Sequence, residues 1–194
     1  MLRRGLTEGA ATSLAVAILH YTAPPVVGGV EQVIGQHARL VADAGHRVRI
    51  VAGRGASRDP RIELVRVPLA DTRHPRVMAL QAELDGGTVP PSFAAAVATL
   101  AGALGPALAG ADVVVAHNVC SLNRNLALTE ALHEVLGRDP APRAILWHHD
   151  LAWTLPAYRP TLHDGRPWDL LRIPWPGATQ VAVSQARRAK KATF

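Results

Sequence analysis

The chain has 194 residues, a formal net charge of +6 and 48% hydrophobic residues. This length and apolar content predict one globular domain with a sizeable core and exclude a disordered chain. A single cysteine, Cys120, excludes an internal disulfide and is typical of a reducing compartment, so we expect a cytoplasmic protein. The excess of arginine suits a phosphate-bearing ligand or an anionic membrane face, whereas no nucleic-acid-binding pattern is found.

The N-terminus superficially resembles a signal peptide, because the basic stretch 2–4 precedes an apolar run. Glu8 interrupts the pattern, and no small-residue cleavage site follows before Pro24. No stretch of the chain approaches the roughly 18 uninterrupted apolar residues of a membrane-spanning helix. We therefore interpret residues 1–12 as a loose leader and residues 13–194 as the domain.

The first predicted strand, Leu14 to Leu19, is an unbroken apolar run that suits a strand buried on both faces of a parallel sheet. After a turn at Gly28 and Gly29, apolar residues return at the spacing of one helical face: Val30, Val33, Ile34, Ala38 and Val41. Unpaired N–H groups at such a helix start favour an anion, and glycines allow its close approach. Alternatively, the glycines form only a tight turn and Glu31 completes the first helical turn.

Strands and helices alternate along the rest of the chain. Further strands are predicted at His46–Ala52, Ile62–Val67, Asp112–Ala116, Ala144–Trp147 and Ala178–Val183. Helices are predicted at Arg76–Leu84, at Ser92–Leu108 with Ser92 as cap, at Asn123–Leu136, and after Ser184. Residues 151–176 are predicted as a long irregular loop with at most a short helix near Trp168–Leu171. The alternation predicts an α/β fold with a doubly wound parallel sheet.

Polar side chains follow four of the predicted strands, at the edge where open parallel sheets bind ligands. They are His20 and Tyr21, His117 and Asn118, His148 with His149 and Asp150, and Ser184. A lone histidine is more often structural than functional, but this combination predicts a binding site. The alternative is that these side chains cap turns and satisfy buried backbone groups.

Four stretches together resemble the N-terminal half of family 4 glycosyltransferases, which are retaining enzymes of the GT-B fold. They are ILHYTAPPVVGGVEQVIGQHARLVADAGHRVRIVAG, DVVVAHN, AILWHHDLAW and VAVSQARR. The resemblance spans about residues 14–194, and the glycine-pair loop is its most specific part. It implies a Rossmann-like, acceptor-side domain, with the family's donor-binding C-terminal domain absent because the chain stops at Phe194.

The resemblance also implies roles for individual residues. It places Gly28, Gly29 and Val30 near the donor diphosphate and the acceptor, and it makes His149 the catalytic residue that contacts the transferred sugar. His148 is the alternative register for that histidine. The positions expected to face the acceptor cleft are Tyr21, His117, Asn118, His148 and Asp150.

The implied reaction transfers a sugar from a nucleoside-diphosphate sugar to an acceptor hydroxyl with retention of configuration. The resemblance implies neither a cofactor nor a required metal. Its implied partners are the nucleotide-sugar donor, a sugar or lipid-linked acceptor and the second domain. Peripheral contact with the anionic inner face of a membrane fits the basic charge, and nucleic acid is not expected. The isolated chain is expected to be inactive or nearly so.

Three other readings of the residues stay open. A nicotinamide-dependent oxidoreductase would need G-x-G-x-x-G at the first turn, where only Gly28 and Gly29 stand. A metal-dependent hydrolase could use four side chains: His148, Asp150, His163 and Asp164. A stand-alone binding domain, or half of a split enzyme, would associate with a catalytic subunit.

Overall fold

The computed structural model describes residues 12–191 as a six-stranded sheet flanked by helices. The strands are β1 Ala15–Leu19, β2 Arg47–Ala52, β3 Ile62–Arg66, β4 Val113–His117, β5 Arg143–His148 and β6 Ala178–Ala182. The helices are α1 Gly29–Asp43, α2 Pro75–Asp85, α3 Ser92–Leu108, α4 Leu126–Leu136 and α5 Gln185–Lys191. Of the predicted leader, residues 1–11 lie outside the described part of the chain.

All strand pairs are parallel, in the order β3-β2-β1-β4-β5-β6. Leu19 of β1 aligns with Val51 of β2 on one side and with Ala116 of β4 on the other. Strands β2 and β3 are added on one side of β1, and strands β4, β5 and β6 are then added on its other side. The direction of strand addition therefore reverses between β1 and β4. This confirms the predicted doubly wound, Rossmann-like α/β fold.

Two apolar cores cover the two faces of the sheet. All five residues of β1 are buried, and they alternate between the cores, with Ile18 facing α1 and Leu19 facing α3 and α4. On the first face Ile34 and Ala38 of α1 complete the smaller core. The prediction that this apolar run forms a strand buried on both faces is therefore confirmed.

The irregular loop between β5 and β6 contains short 3-10 segments at Ala152–Thr154, Pro156–Thr161 and Trp168–Leu171. Its aromatic residues pack inward: Trp168 and Trp175 are buried in the larger core, and the Trp175 indole donates to the carbonyl of Leu170 at 2.9 Å. Across residues 12–191, no helix combines the length and apolar character needed to cross a membrane.

The starts of two helices, α3 and α4, differ from the predictions in the residue that caps them. Ser92 does not cap α3: Pro91 stands at the cap position, and no side chain caps that end. The helix ends at Leu108 as predicted, with Pro106 inside its last turn. Helix α4 begins at Leu126 rather than Asn123, since the preceding Asn125 provides the cap.

Asn125 fixes α4 by two bonds, so its loss should be costly. Its Oδ1 accepts from the N–H of Leu128 at 3.1 Å, and its Nδ2 donates to the carbonyl of Leu69 at 2.8 Å. We expect Asn125→Ala to lower the free energy of unfolding by about 2 kcal/mol and Asn125→Ser, which retains a capping oxygen, by about 1 kcal/mol. Urea unfolding measures both, and equal losses would show that the cap contributes nothing.

Candidate functional site

The candidate site lies at the carboxyl edge of the sheet, in the crevice where the strand order reverses between the ends of β1 and β4. His20 follows β1, and its ring is buried against the end of β4. The His20 Nδ1–H donates to the carbonyl of His117 at 2.7 Å, because a carbonyl can only accept. This bond fixes the ring so that its Nε2 lies 3.9 Å from Oε1 of Glu31.

Glu31 bends back over the start of α1. Its Oε1 accepts from the hydroxyl of Thr22 at 2.5 Å, and its Oε2 would come within 2.1 Å of a Cβ added at Gly28. A Cβ at Gly29 would meet nothing within 4 Å. The backbone of Gly28 is extended, so a side chain at this position would conflict only with the present position of the Glu31 carboxylate, which is the end of a flexible side chain.

A carboxylate therefore already stands at the positive end of the α1 dipole. This carboxylate lies beside Gly28, which is one of the three residues, with Gly29 and Val30, predicted to lie near a donor diphosphate. The role of these three residues in donor binding stays a prediction. The carboxylate itself is well placed to accept a hydrogen bond from a hydroxyl group in the crevice.

Asn118 joins the loop after β4 to the loop after β5. Its Oδ1 accepts from the backbone N–H groups of His149 at 2.8 Å and Asp150 at 3.3 Å, while its own N–H donates to the carbonyl of Trp147 at 2.9 Å. Asn118 has φ +58°, in the left-handed region that asparagine tolerates better than most residues. The residue type thus suits both the backbone and the bonds.

The bonds of Asn118 bring two imidazole rings together. His117 Nδ1 lies 3.0 Å from His149 Nε2, and the ring of His37 from α1 lies 5.4 Å from that of His117 and 4.7 Å from that of Trp147. One of the two hydrogen-bonded nitrogens carries the proton and the other accepts it. His117 Nε2 is buried and has no hydrogen-bond partner among the described residues.

Burial keeps this cluster uncharged. It lowers the pKa of His20 to about 4 and that of His117 to about 2, and in His117 the neighbouring His149 lowers the pKa further. Burial also lowers the pKa of His149 and of His37 below the ordinary value of 6.5. The imidazoles are therefore neutral near neutral pH, and the partly exposed rings of His37 and His149 can both donate and accept hydrogen bonds.

The two histidines after β5 face different neighbours. The buried His148 lies on the β6 side, where its Nε2–H donates to Oε1 of Gln180 at 2.6 Å. His149 lies beside His117 at the strand reversal. Asp150 forms an ion pair with Arg187 of α5 at 2.7 Å. Of the two registers left open by the sequence, the geometry favours His149 as the residue of the crevice.

Tyr21 contacts the loop after β4 through its hydroxyl, and its place in an acceptor cleft stays a prediction. The side chain is buried, and its hydroxyl lies 3.3 Å from the carbonyls of both Asn118 and Leu122, between which its single proton is shared. Burial raises the pKa of this phenol, so it stays protonated at neutral pH. Ser184 caps α5 by accepting from the N–H of Arg187 at 3.2 Å.

The four side chains proposed for a metal site have separate partners. His163 contacts the carbonyl of Asp85 at 3.0 Å, and Asp164 pairs with Arg172 at 2.8 Å. His148 and Asp150 have other partners, Gln180 and Arg187. Within residues 12–191, no group of three or more metal-ligating side chains is close enough to hold an ion.

Three contributors were not identified in the sequence: Thr22, His37 and Arg187. His37 carries a usable signal, because it lies three residues after Ile34 and seven after Val30, inside the apolar stripe of α1. A polar residue in such a stripe indicates a partner across the interface. Thr22 and Arg187 act through contacts that no spacing reveals.

Comparison with known proteins assigns no family: no protein-family model matches the chain, and no curated protein matches it. The function must therefore be inferred from the residues of the crevice. Their arrangement offers neutral imidazoles, one carboxylate and a threonine hydroxyl at the strand reversal. These groups suit a ligand that is rich in hydroxyls.

Substitution of Asn118 should separate its two contributions. Asn118→Ala leaves two partly buried N–H groups unmet and strains the left-handed backbone, so we expect a loss of about 3 kcal/mol in the free energy of unfolding. Asn118→Gly removes the acceptor but relieves the strain, and should cost roughly 1 to 2 kcal/mol. Denaturant unfolding measures both values. A glycine variant as unstable as the alanine variant would refute the contribution of backbone strain.

The buried histidines should make the domain sensitive to acid. Because the pKa of His20 and that of His117 are lower in the folded chain, the unfolded chain takes up protons below about pH 6.5 that the folded chain does not. Stability should thus fall from about pH 7 to about pH 5 by roughly 2 kcal/mol for each of these two histidines. We expect His117→Gln to flatten the slope in urea unfolding at several pH values, whereas an unchanged slope would show that His117 does not contribute.

Proposed function

We propose that the chain is the acceptor-side, Rossmann-like domain of a retaining glycosyltransferase of the GT-B type. The reaction moves a sugar from a nucleoside-diphosphate sugar to an acceptor hydroxyl. The observation that supports this most is the pairing of His149 with His117 at the strand reversal, close to the turn that begins α1. The family resemblance in the sequence implies the catalytic role of His149, and the position of this residue beside His117 is compatible with that role.

The chemistry of the crevice fits sugar transfer. Sugar hydroxyls are neutral groups that both donate and accept, and the imidazoles of the crevice have the same capacity. Departure of the diphosphate develops positive charge on the sugar ring, as in other glycosyl transfers. The lowered pKa of His149 keeps its ring uncharged, so it would not oppose that charge. The negative charge of Glu31, whose carboxylate lies 3.9 Å from the ring of His20, would stabilise that positive charge.

The leaving diphosphate needs positive groups, and most of these would come from the donor-binding domain of such an enzyme. Within this chain, Arg187 holds Asp150 at the edge of the site and lies on the basic helix α5. We propose that the reaction takes place in the cytoplasm. A lipid-linked acceptor would bring the domain to the anionic inner face of a membrane, which suits the arginine excess of the chain.

The test uses the complete reading frame that encodes this chain. The purified product is assayed with a panel of nucleoside-diphosphate sugars and with sugar and lipid-linked acceptors. We expect transfer with retention, and we expect His149→Ala to lower kcat/KM at least about 100-fold. The matched control is His46→Ala, since His46 lies at the opposite edge of the sheet, where it accepts from the N–H of Leu14. It should leave transfer unchanged.

Two results would overturn the proposal. One is the absence of transfer from every donor of the panel by a folded product. The other is transfer by His149→Ala at the rate of the unsubstituted protein.

A further inference from the structure

An open polar cavity lies outside the histidine cluster. It has a volume of about 440 Å³ and is lined by the segment after β3, by α2, by the loop after β4 and by the 3-10 segment 156–161. Its size falls in the range of small-molecule binding sites, which is roughly 300 to 1,000 Å³. None of the residues assigned to glycosyl transfer lines it.

Two arginines give the cavity a positive side. Arg73 comes from the segment after β3 and Arg124 from the loop after β4. The Arg124 guanidinium donates to the hydroxyl of Tyr158 at 3.1 Å and lies 5.7 Å from the centre of its ring, so it is held in place. Among the ion pairs of residues 12–191, neither arginine meets a carboxylate. Both remain available for an anion.

Two amide oxygens lie behind the wall of the cavity. Asn123 and Gln81 both line it, and Oδ1 of Asn123 and Oε1 of Gln81 are buried without a hydrogen-bond partner among the described residues. Asn123 is only 4% exposed. Such groups are rare in folded proteins, because each costs free energy unless a donor reaches it.

The orientation of both amides is fixed by their nitrogens. Asn123 Nδ2 donates to the carbonyl of Thr161 at 3.1 Å and to its hydroxyl at 2.8 Å, and Gln81 Nε2 donates to Oδ1 of Asp85 at 2.7 Å. A flipped amide would place an oxygen against a carbonyl or a carboxylate, which is repulsive. The two oxygens are therefore genuine acceptors, but they are too deeply buried to meet a ligand in the cavity. Gln81 instead positions the carboxylate of Asp85, which lines the cavity.

We propose that this cavity binds a small polyol phosphate, with Arg73 and Arg124 holding the phosphate and the carboxylate of Asp85 accepting from the hydroxyls. Guanidinium groups match the geometry of phosphate oxygens. A carboxylate accepts hydrogen bonds from the hydroxyls of a polyol. The proposal does not depend on glycosyl transfer, since a separate set of residues carries it.

The experiment is calorimetric titration of the chain with three probes: glucose 6-phosphate, glucose and inorganic phosphate. We expect glucose 6-phosphate to bind at least ten times more tightly than either of the others. Arg124→Gln should weaken both phosphate-bearing probes about tenfold or more. Asp85→Ala, which removes the acceptor oxygens, should weaken the binding of glucose 6-phosphate relative to that of inorganic phosphate.

The matched control is Arg47→Gln, which removes the same charge at the opposite, amino-terminal edge of the sheet and should change nothing. Circular dichroism confirms that each variant is folded. The proposal is overturned if glucose 6-phosphate does not bind at millimolar concentration, if it binds no better than inorganic phosphate, or if Arg47→Gln weakens it as much as Arg124→Gln does.

A second arm distinguishes a free polyol phosphate from a lipid headgroup of the same chemistry. Vesicles of phosphatidylglycerol are compared with vesicles of phosphatidylcholine in a flotation assay. Binding to phosphatidylglycerol that glucose 6-phosphate displaces and that Arg124→Gln removes assigns the headgroup as the source. Binding of the soluble probe without vesicle binding assigns a free ligand.

Discussion

The parallel pairing of β1 with both β2 and β4 is the constraint on which the rest of the domain depends. β1 is the strand that both halves of the sheet share, and all five of its residues are buried. Its side chains alternate between two cores, so neither face can form without it. The same pairing sets the ends of β1 and β4 side by side, and this alone creates the crevice in which His20 meets the carbonyl of His117.

The crevice combines burial with a large number of nitrogen and oxygen atoms. Burial removes charge from the imidazoles, and the bonds of Asn118 then determine which rings meet. Glu31 supplies the negative group, held by Thr22 and placed over Gly28. A site of neutral rings around one carboxylate differs from the anion site that a glycine turn at a helix start usually suggests.

Much of the fold could be predicted from the sequence because the strands are short apolar runs. The bounds of β1, β2 and β3 agree with the predicted ones to within one residue. Helix starts were less predictable, since Asn125 rather than Asn123 makes the capping bond. The candidate histidines could be predicted from their positions at strand ends, but their partners could not. The contact of His117 with His149 depends on the left-handed backbone of Asn118, which no periodicity indicates.

The polar cavity was beyond sequence reasoning for a different physical reason. Its walls come from irregular segments that are far apart in the chain, such as those of Arg73 and Tyr158. Such segments carry no hydrophobic period from which their packing could be derived. The buried amide oxygens of Gln81 and Asn123 are visible only when each nitrogen has been given its partner.

The strand at the far edge, β6, has a consequence for how the domain opens. It pairs with β5 alone, and none of its five residues is buried, in contrast to β1. Local unfolding is least costly where few apolar contacts must be given up. Amide hydrogens of β6 should therefore exchange with solvent well before those of β1. Because His148 donates to Gln180 of β6, opening of this edge also releases the histidine that precedes His149.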